Sequence, residues 1–164
     1  MIRVKWMVGL ALVSVIGAAL LVPLVGAKTM KVDLQSGPFA PNAQGEIKFN
    51  VADGTLAGDI NAKNLPAQGA HAFYVLWFVR TDTGDKAFLG PLIGQDSILF
   101  LVPGDGSMRF RAAAFTDGPN AGSGISLGAN GVNLFVVLAE DHINTFMPSP
   151  VSPPPASVAL QATF

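Results

Sequence analysis

The side chains that could hold a metal ion are few and widely spaced. The chain has two histidines, His71 and His142, and no cysteine. A zinc site would need both imidazoles together with a carboxylate such as Glu140 or Asp141. The spacing provides no chelating pair on one predicted element, so ordinary hydrogen bonds near strand ends are favoured. The sequence therefore predicts no metal site and no cofactor.

Four aspartates in turn-rich stretches could supply oxygen ligands to Ca²⁺. They are Asp82, Asp85, Asp105 and Asp117. Their spacing does not match an EF-hand loop, and an aspartate in a turn commonly accepts hydrogen bonds from nearby backbone amides. We therefore interpret these four residues as turn formers.

Catalytic motifs are also lacking in the pattern. Ser123 stands between two glycines in a loop, without the strand–turn–helix context of a hydrolase nucleophile. Glu140 and Asp141 are adjacent, so on a strand they would point to opposite faces. Gly104 and Gly106 are not followed by a helix that could hold a phosphate. The sequence predicts that the protein is not an enzyme and has no catalytic residues.

Tyr74 and Trp77 could stack on a ligand, but their context favours burial. Both lie in the continuous apolar run 73–79, FYVLWFV. Such a run is typical of a central strand that is covered on both faces, where aromatic rings contribute to the core.

The first 27 residues have the pattern of an export signal or a membrane anchor. Arg3 and Lys5 precede the apolar run 6–22, and small residues lead up to Ala27. Cleavage after Ala27 would release the protein, whereas uncleaved residues 4–27 are long enough to cross a bilayer with the N-terminus in the cytoplasm. Both alternatives place residues 28–164 outside the cytoplasm, as one domain.

The overall charge excludes one class of partner. The formal net charge is -1, and only 13% of the residues are charged. There is no basic tract and no stacking platform with interleaved basic residues. We therefore expect no binding to nucleic acid.

Residues 28–164 consist of short apolar or alternating stretches separated by Gly, Pro, Asn and Asp. This pattern predicts an all-β fold, an Ig-like antiparallel β-sandwich of about seven to nine strands, preceded by one N-terminal apolar helix. Two polar stretches, 81–85 and 102–106, are predicted to be hairpin connections. The predicted strands are 30–34, 46–51, 56–62, 72–80, 86–92, 97–102, 108–114, 132–139 and 157–164.

Two further stretches are predicted to be loops. Residues 116–131 are rich in Gly, Asn and Ser, so we expect this loop to be mobile or functional. Residues 148–155, PSPVSPPP, should form an extended polyproline strip along the surface.

The order of several short motifs resembles a known family. Asn64-Leu65-Pro66 is followed by Tyr74-Val75-Leu76-Trp77, Leu89-Gly90, the stretch 136–141, Pro148-Ser149-Pro150 and Val158-Ala159-Leu160. This order resembles the extracytoplasmic C-terminal domain of anti-sigma-K factors, over about residues 54–164. The resemblance implies a β-sandwich and transfers no catalytic site. It gives no support for sigma-factor binding, because only five residues precede the apolar segment.

These observations lead to one functional hypothesis with two alternatives. The first is a non-enzymatic extracytoplasmic module that binds a protein partner or serves as an accessory subunit of a membrane complex. The second is a secreted protein that self-associates by strand addition through the C-terminal stretch SVALQATF. The third is a periplasmic domain that binds a small ligand or metal through the loop 116–131.

Overall fold

The computed structural model describes residues 28–67, 73–95, 97–140 and 157–164. They form eight β-strands and no α-helix, which confirms the all-β prediction. The predicted N-terminal helix, the boundary at Ala27 and the strip 148–155 lie outside the described residues. The strands are β1 (Met30–Ser36), β2 (Gln44–Ala52), β3 (Thr55–Leu65), β4 (Phe73–Arg80), β5 (Lys86–Pro91), β6 (Gly104–Ala112), β7 (Asn133–Glu140) and β8 (Val158–Thr163).

All neighbouring strands are antiparallel and form one sheet in the order β5-β4-β7-β8-β1-β2-β3-β6. β1 joins the two halves, because Met30 to Leu34 pair with β2 whereas Gln35 and Ser36 pair with β8. The C-terminal strand β8 is therefore an interior strand, with β7 on one side and β1 on the other.

Turn chemistry explains two of the tight connections. Asp53 and Gly54 both have positive φ, 49° and 72°, and link β2 to β3 through the pair Ala52–Thr55. An Asp-Gly pair with this geometry matches the twist of an antiparallel hairpin. The polar stretch 81–85 connects β4 to β5, with Arg80 N donating to the Asp85 carbonyl at 2.8 Å, so this predicted hairpin is confirmed.

The sheet rolls until its two edges meet at one residue pair. Ile93, just beyond β5, exchanges two backbone hydrogen bonds of 2.9 Å with Ser107 of β6. Continuing this ladder would bring Pro91 opposite Arg109, and proline has no N–H to donate. A register shift beside Gly90, where φ is 126°, also turns β5 away. The two edges of the sheet therefore pair at this one residue pair, and the roll is nearly but not fully closed.

The interior of the roll holds the larger of two hydrophobic clusters. Its aromatic centre is Phe135, whose ring lies 5.0 Å from Phe49 and 5.4 Å from Phe78. The smaller cluster lies on the outward face of β4, β7 and β8, around Trp77. The run 73–79 is thus covered on both faces, as predicted, and all seven of its residues are buried. By contrast, the outer face of β1 and β2 is exposed to solvent and carries the ion pair Lys31–Glu46.

One predicted strand is wrong. Residues 97–102 form bends without strand pairing, and β6 begins at Gly104, so 102–106 is not a hairpin connection. The segment is apolar for another reason: Phe100 belongs to the interior cluster, whereas Leu99 packs against the outer one. It therefore covers the rim of the roll, in contact with both apolar layers.

The up-and-down strand directions give the roll two distinct ends. The entry end holds Met30, the turn 53–54, the hairpin 81–85 and the loop 113–132. The opposite end, which we call the distal end, holds the connections 37–43 and 92–103. Register places Met30 level with Phe110, six residues from Gly104, so the levels of Met30 and Gly104 are separated by about 20 Å along the strands.

Candidate functional site

A group of paired charges occupies the entry end of the roll. Asp85 is its buried centre, with an exposed fraction of 1%. Its carboxylate accepts hydrogen bonds from the Asn120 backbone N–H and side-chain Nδ2, both at 2.7 Å, and from Thr83 Oγ1 at 2.6 Å. Asp85 therefore holds the loop 113–132 against the β4–β5 hairpin.

Two ion pairs flank Asp85. Arg80 donates from Nε and Nη2 to the two oxygens of Asp82, at 2.8 and 2.6 Å, in a bidentate pair. Lys86, which is itself buried, donates from Nζ to Asp117 Oδ2 at 2.8 Å. Each of these carboxylates is therefore neutralised by a local cation.

The contacts shift the acidities in a consistent direction. The hydrogen bond from Arg80 lowers the pKa of Asp82, and the bond from Lys86 lowers the pKa of Asp117. Burial tends to raise the pKa of Asp85, but the hydrogen bonds from Asn120 and Thr83 outweigh it, so that pKa is also lowered. All three carboxylates are held in the ionised form.

These hydrogen bonds and ion pairs account for three of the four aspartates that were considered as calcium ligands. Asp105 lies at the distal end and accepts a 3.2 Å hydrogen bond from Asn64 N. The other three serve as hydrogen-bond acceptors in the entry-end group. Among the described residues, no three His, Cys, Asp or Glu side chains come together as a possible metal site.

The remaining chemically interesting residues do not converge either. His71, His142 and Asp141 lie outside the described residues, and Glu140 ends β7. Ser123 lies in a turn, where its N–H donates to the Asn120 carbonyl at 2.9 Å. No shared catalytic geometry is formed by the described members of this set.

Tyr74 and Trp77 point to opposite faces of β4. Tyr74 lies in the interior cluster and donates its hydroxyl to the Pro66 carbonyl at 2.9 Å. Trp77 lies in the outer cluster, 5.0 Å from the ring of Phe88. The two rings therefore cannot form a common stacking platform, and both are packed as core residues.

The loop 116–131 is tied to the body along its length. Ile125 N donates to the Gly54 carbonyl at 2.7 Å, and Asn133 Oδ1 accepts from Gly128 N at 2.8 Å. Strand β8 has both of its edges paired, as described above. The route for strand addition through SVALQATF is thus occupied within the molecule.

The described structure has a cleft at the distal end that the sequence did not reveal. Its volume is about 820 Å³, and it lies between the loop 93–103 and the ends of β3 and β6. Ile93, Leu101 and Val102 line it and have exposed fractions of 53%, 61% and 68%. They are the large apolar side chains that are strongly exposed in the described part of the chain. The cleft is therefore the main apolar surface of that part.

Phe100 fixes the loop that forms the cleft. Its ring packs edge-on against Tyr74 at 4.9 Å, inside the roll. Gly106 makes room for it, because a Cβ built there would lie 2.7 Å from the tip of the Phe100 ring. With Phe100 buried, the next two residues, Leu101 and Val102, are left facing solvent.

The opposite wall of the cleft is polar. Asn61 and Lys63 of β3 and Asp105 and Ser107 of β6 line it. The cleft thus combines an apolar rim with hydrogen-bonding and charged groups, a combination that suits a partner with both characters. Sequence reasoning misses it because the stretch 97–102 is apolar enough to predict a strand, although its apolar residues do not alternate and Pro103 follows them.

Comparison of the chain with protein-family models, curated proteins and solved structures gives no match. The resemblance to anti-sigma-K outer domains stays a prediction. In the described ranges, no helix is long and apolar enough to span a bilayer.

Proposed function

We propose that the protein is a non-enzymatic extracytoplasmic module, an Ig-like β-sandwich in architecture, that binds a protein partner through its distal cleft. Residues 4–27 hold it in the membrane as an anchor, with the domain 28–164 outside, or are removed by cleavage after Ala27. In the anchored form it acts as an accessory subunit of a membrane complex.

The exposed apolar rim of the cleft carries this proposal. Burying a large apolar side chain stabilises a protein by about 1.5–3 kcal/mol, so Ile93, Leu101 and Val102 are kept in water at a cost to the folded state. A contiguous apolar patch with polar surroundings is typical of an interaction surface. Removing the patch would therefore affect binding more than folding.

The position of the cleft supports a partner outside the membrane. An anchor formed by residues 4–27 would enter the domain next to Met30, at the entry end. The cleft lies at the distal end, about 20 Å farther along the strands. The rim would thus face away from the membrane that holds the anchor.

Site-specific crosslinking in the native membrane tests the proposal. A photo-reactive amino acid replaces Val102 in the full chain, and the same replacement at Asn130, exposed at the entry end, is the matched control. We expect one discrete adduct from position 102 and none from position 130. The adduct should disappear in the Leu101→Ser variant. Equal labelling from both positions, or an adduct that survives Leu101→Ser, would contradict the proposal.

The size of the cleft favours one second candidate, a small-ligand-binding domain. A volume of about 820 Å³ falls within the usual range for small-molecule sites. Native mass spectrometry of the protein, purified without chelators, would detect a retained ligand or metal ion. A retained mass that is lost from a Lys63→Ala variant would favour this candidate over a protein partner.

A further inference from the structure

The polar wall of the distal cleft contains a β-bulge. The register of β3 against β6 shifts there, so two residues of β3, Lys63 and Asn64, stand opposite the single residue Asp105. Asn64 has a positive φ of 56°, and its N–H donates to the Asp105 carboxylate at 3.2 Å. Bulges re-aim nearby side chains and are common beside functional sites. This one places Lys63 in the lining of the cleft.

Lys63 is the cation in the described lining of the cleft, and it has no counter-ion in the described structure. It is exposed, and the carboxylate of Asp105 beside it bonds to Asn64 N instead. Elsewhere on the sheet, Lys31 and Lys48 are both paired with Glu46. The ammonium of Lys63 is therefore available to a ligand in the cleft.

The main chain of Asp105 is also unpaired. Both the N–H and the C=O of Ser107 bond to Ile93, and backbone groups two residues apart on a strand point the same way. Those of Asp105 therefore point towards the loop that forms the cleft. This loop leaves β6 directly after Ile93, because Gly94 N donates to the Ser97 carbonyl at 2.7 Å in a turn. Within the described ranges, no backbone group bonds to Asp105 across the gap.

The gap beside Asp105 is part of the cleft. Gln95 lines it on the side of the loop, and Gly104 and Asp105 line it on the side of β6. A Cβ built on Gly104 would have no atom within 4 Å, which shows open space at this point. The volume of about 820 Å³ is sufficient for a short extended segment. The main-chain groups of Asp105 are therefore accessible to a ligand in the cleft.

We propose that the partner inserts into the distal cleft an extended segment in which an acidic residue stands between apolar ones. This inference rests on the proposed function and names the chemistry of the partner. Lys63 binds the carboxylate, and the N–H and C=O of Asp105 bond to the main chain of the segment. Neighbouring side chains of an extended chain point to opposite sides, so the apolar neighbours of the acidic residue cover Leu101 and Val102.

The charge of the wall argues for this segment over two other occupants. A purely apolar ligand would cover the ammonium of Lys63 without supplying a counter-ion, which is costly. A second copy of this chain, docked cleft to cleft, would bring Lys63 against Lys63, and like charges placed opposite each other are destabilising. A carboxylate in the segment removes the first cost, because a hydrogen bond between two charged groups is stronger than one between neutral groups.

The experiment uses the full chain in nonionic detergent, labelled with ¹⁵N, and a capped heptapeptide with a central Glu between Leu and Val residues. The matched control peptide has Gln in place of Glu, which keeps the shape and removes the charge. Saturable shifts of the amide resonances of the cleft give both affinities. We expect the Gln peptide to bind at least fivefold more weakly, and 0.5 M salt should reduce this difference by screening.

A pair of variants assigns the preference to one side chain. Lys63→Gln should bind the Glu and Gln peptides with affinities within twofold of each other, because the cation that distinguishes them is gone. Arg111→Gln is the matched control, since it removes an exposed cation of β6 that lies outside the cleft lining. It should keep the preference of the wild type for the Glu peptide.

Hydrogen exchange tests the contact with the main chain. An exposed N–H without a partner exchanges quickly with solvent, so the bound Glu peptide should slow exchange at Asp105 at least tenfold. The amide of Arg109, farther along the same strand and outside the cleft lining, should change less than twofold.

Three outcomes would overturn the proposal. The first is equal binding of the Glu and Gln peptides, or a preference that survives Lys63→Gln. The second is binding without slower exchange at Asp105. The third is the absence of cleft shifts at 1 mM peptide. The crosslink from position 102 is a separate readout: if its adduct forms despite any of these results, the cleft binds a partner of different chemistry and the proposed function stands.

Discussion

Asp85 and Asn120 are joined by two hydrogen bonds of 2.7 Å, one from the backbone N–H and one from the side-chain amide of Asn120. They are 35 residues apart in the chain, and this pair connects the β4–β5 hairpin to the loop that follows β6. Since Asp85 is buried, the pair replaces the water that its carboxylate would otherwise bind.

Removing the Asn120 side chain should therefore be costly. Asn120→Ala leaves Asp85 Oδ2 with Thr83 as its remaining side-chain donor, and we expect a loss of about 1–3 kcal/mol in the free energy of unfolding. Urea denaturation measures it. Asn130→Ala, at an exposed position in the same loop, should stay within about 0.5 kcal/mol of the wild type. Equal losses in the two variants would show that the Asp85 contact is not special.

Stability should decrease in acid. The folded state lowers the pKa of Asp82, Asp85 and Asp117, so the unfolded chain binds protons more readily than the folded one. The stabilisation is complete above the ordinary Asp pKa of about 3.9 and is lost as the pH falls through the lower folded values. Urea unfolding between pH 7 and pH 2 should show this decrease, and the decrease should be smaller in Asn120→Ala. A pH-independent free energy would contradict the assignment.

Trp77 should be required for folding through its ring and not through its N–H. Trp77→Ala should destabilise the protein by about 3–5 kcal/mol, because it removes the centre of the outer cluster. Trp77→Phe should cost clearly less than Trp77→Ala, since the buried Nε1 has no hydrogen-bond partner among the described residues and an aromatic ring is kept. Thermal denaturation by circular dichroism compares the two variants. A Trp77→Phe variant as unstable as Trp77→Ala would mean that the N–H has a partner.

A glycine pair tests how the cleft is built. Gly106→Ala would place a Cβ 2.7 Å from the Phe100 ring, and we expect it to shift the loop and cost about 1–3 kcal/mol. Gly104→Ala is the matched control on the same strand, because a Cβ there has no atom within 4 Å. Its effect should stay within about 0.5 kcal/mol. Urea denaturation of both variants is the measurement, and equal effects would show that Phe100 does not depend on Gly106.

Much of the strand content could be predicted because the apolar pattern reports local burial. Alternation at Ile47, Phe49 and Val51 indicates a strand with one wet face, and β2 has that character. The uninterrupted run 73–79 indicates cover on both faces, which β4 has. Strand order could not be predicted, because the pattern does not specify which edge pairs with which.

The wrong strand prediction at 97–102 and the missed cleft have a common physical cause. The stretch 97–102 is as apolar as a strand, but Phe100 and Leu99 are apolar because they contact different clusters across the rim. Leu101 and Val102 resemble core residues in sequence, and only the fold leaves them exposed. The cleft was therefore hidden from sequence reasoning, whereas the turn role of Asp85 could be anticipated from its residue type.

The single residue pair Ile93–Ser107 has a consequence for the motions of the molecule. Two backbone hydrogen bonds close the roll at this line, whereas other strand pairs are joined by longer ladders. Local opening is cheapest where the fewest bonds must break together, so the roll should breathe at this pair while its other strands stay paired. Each opening would release Ile93 and the loop that carries Leu101 from β6. The proposed distal cleft would then widen in the same fluctuation.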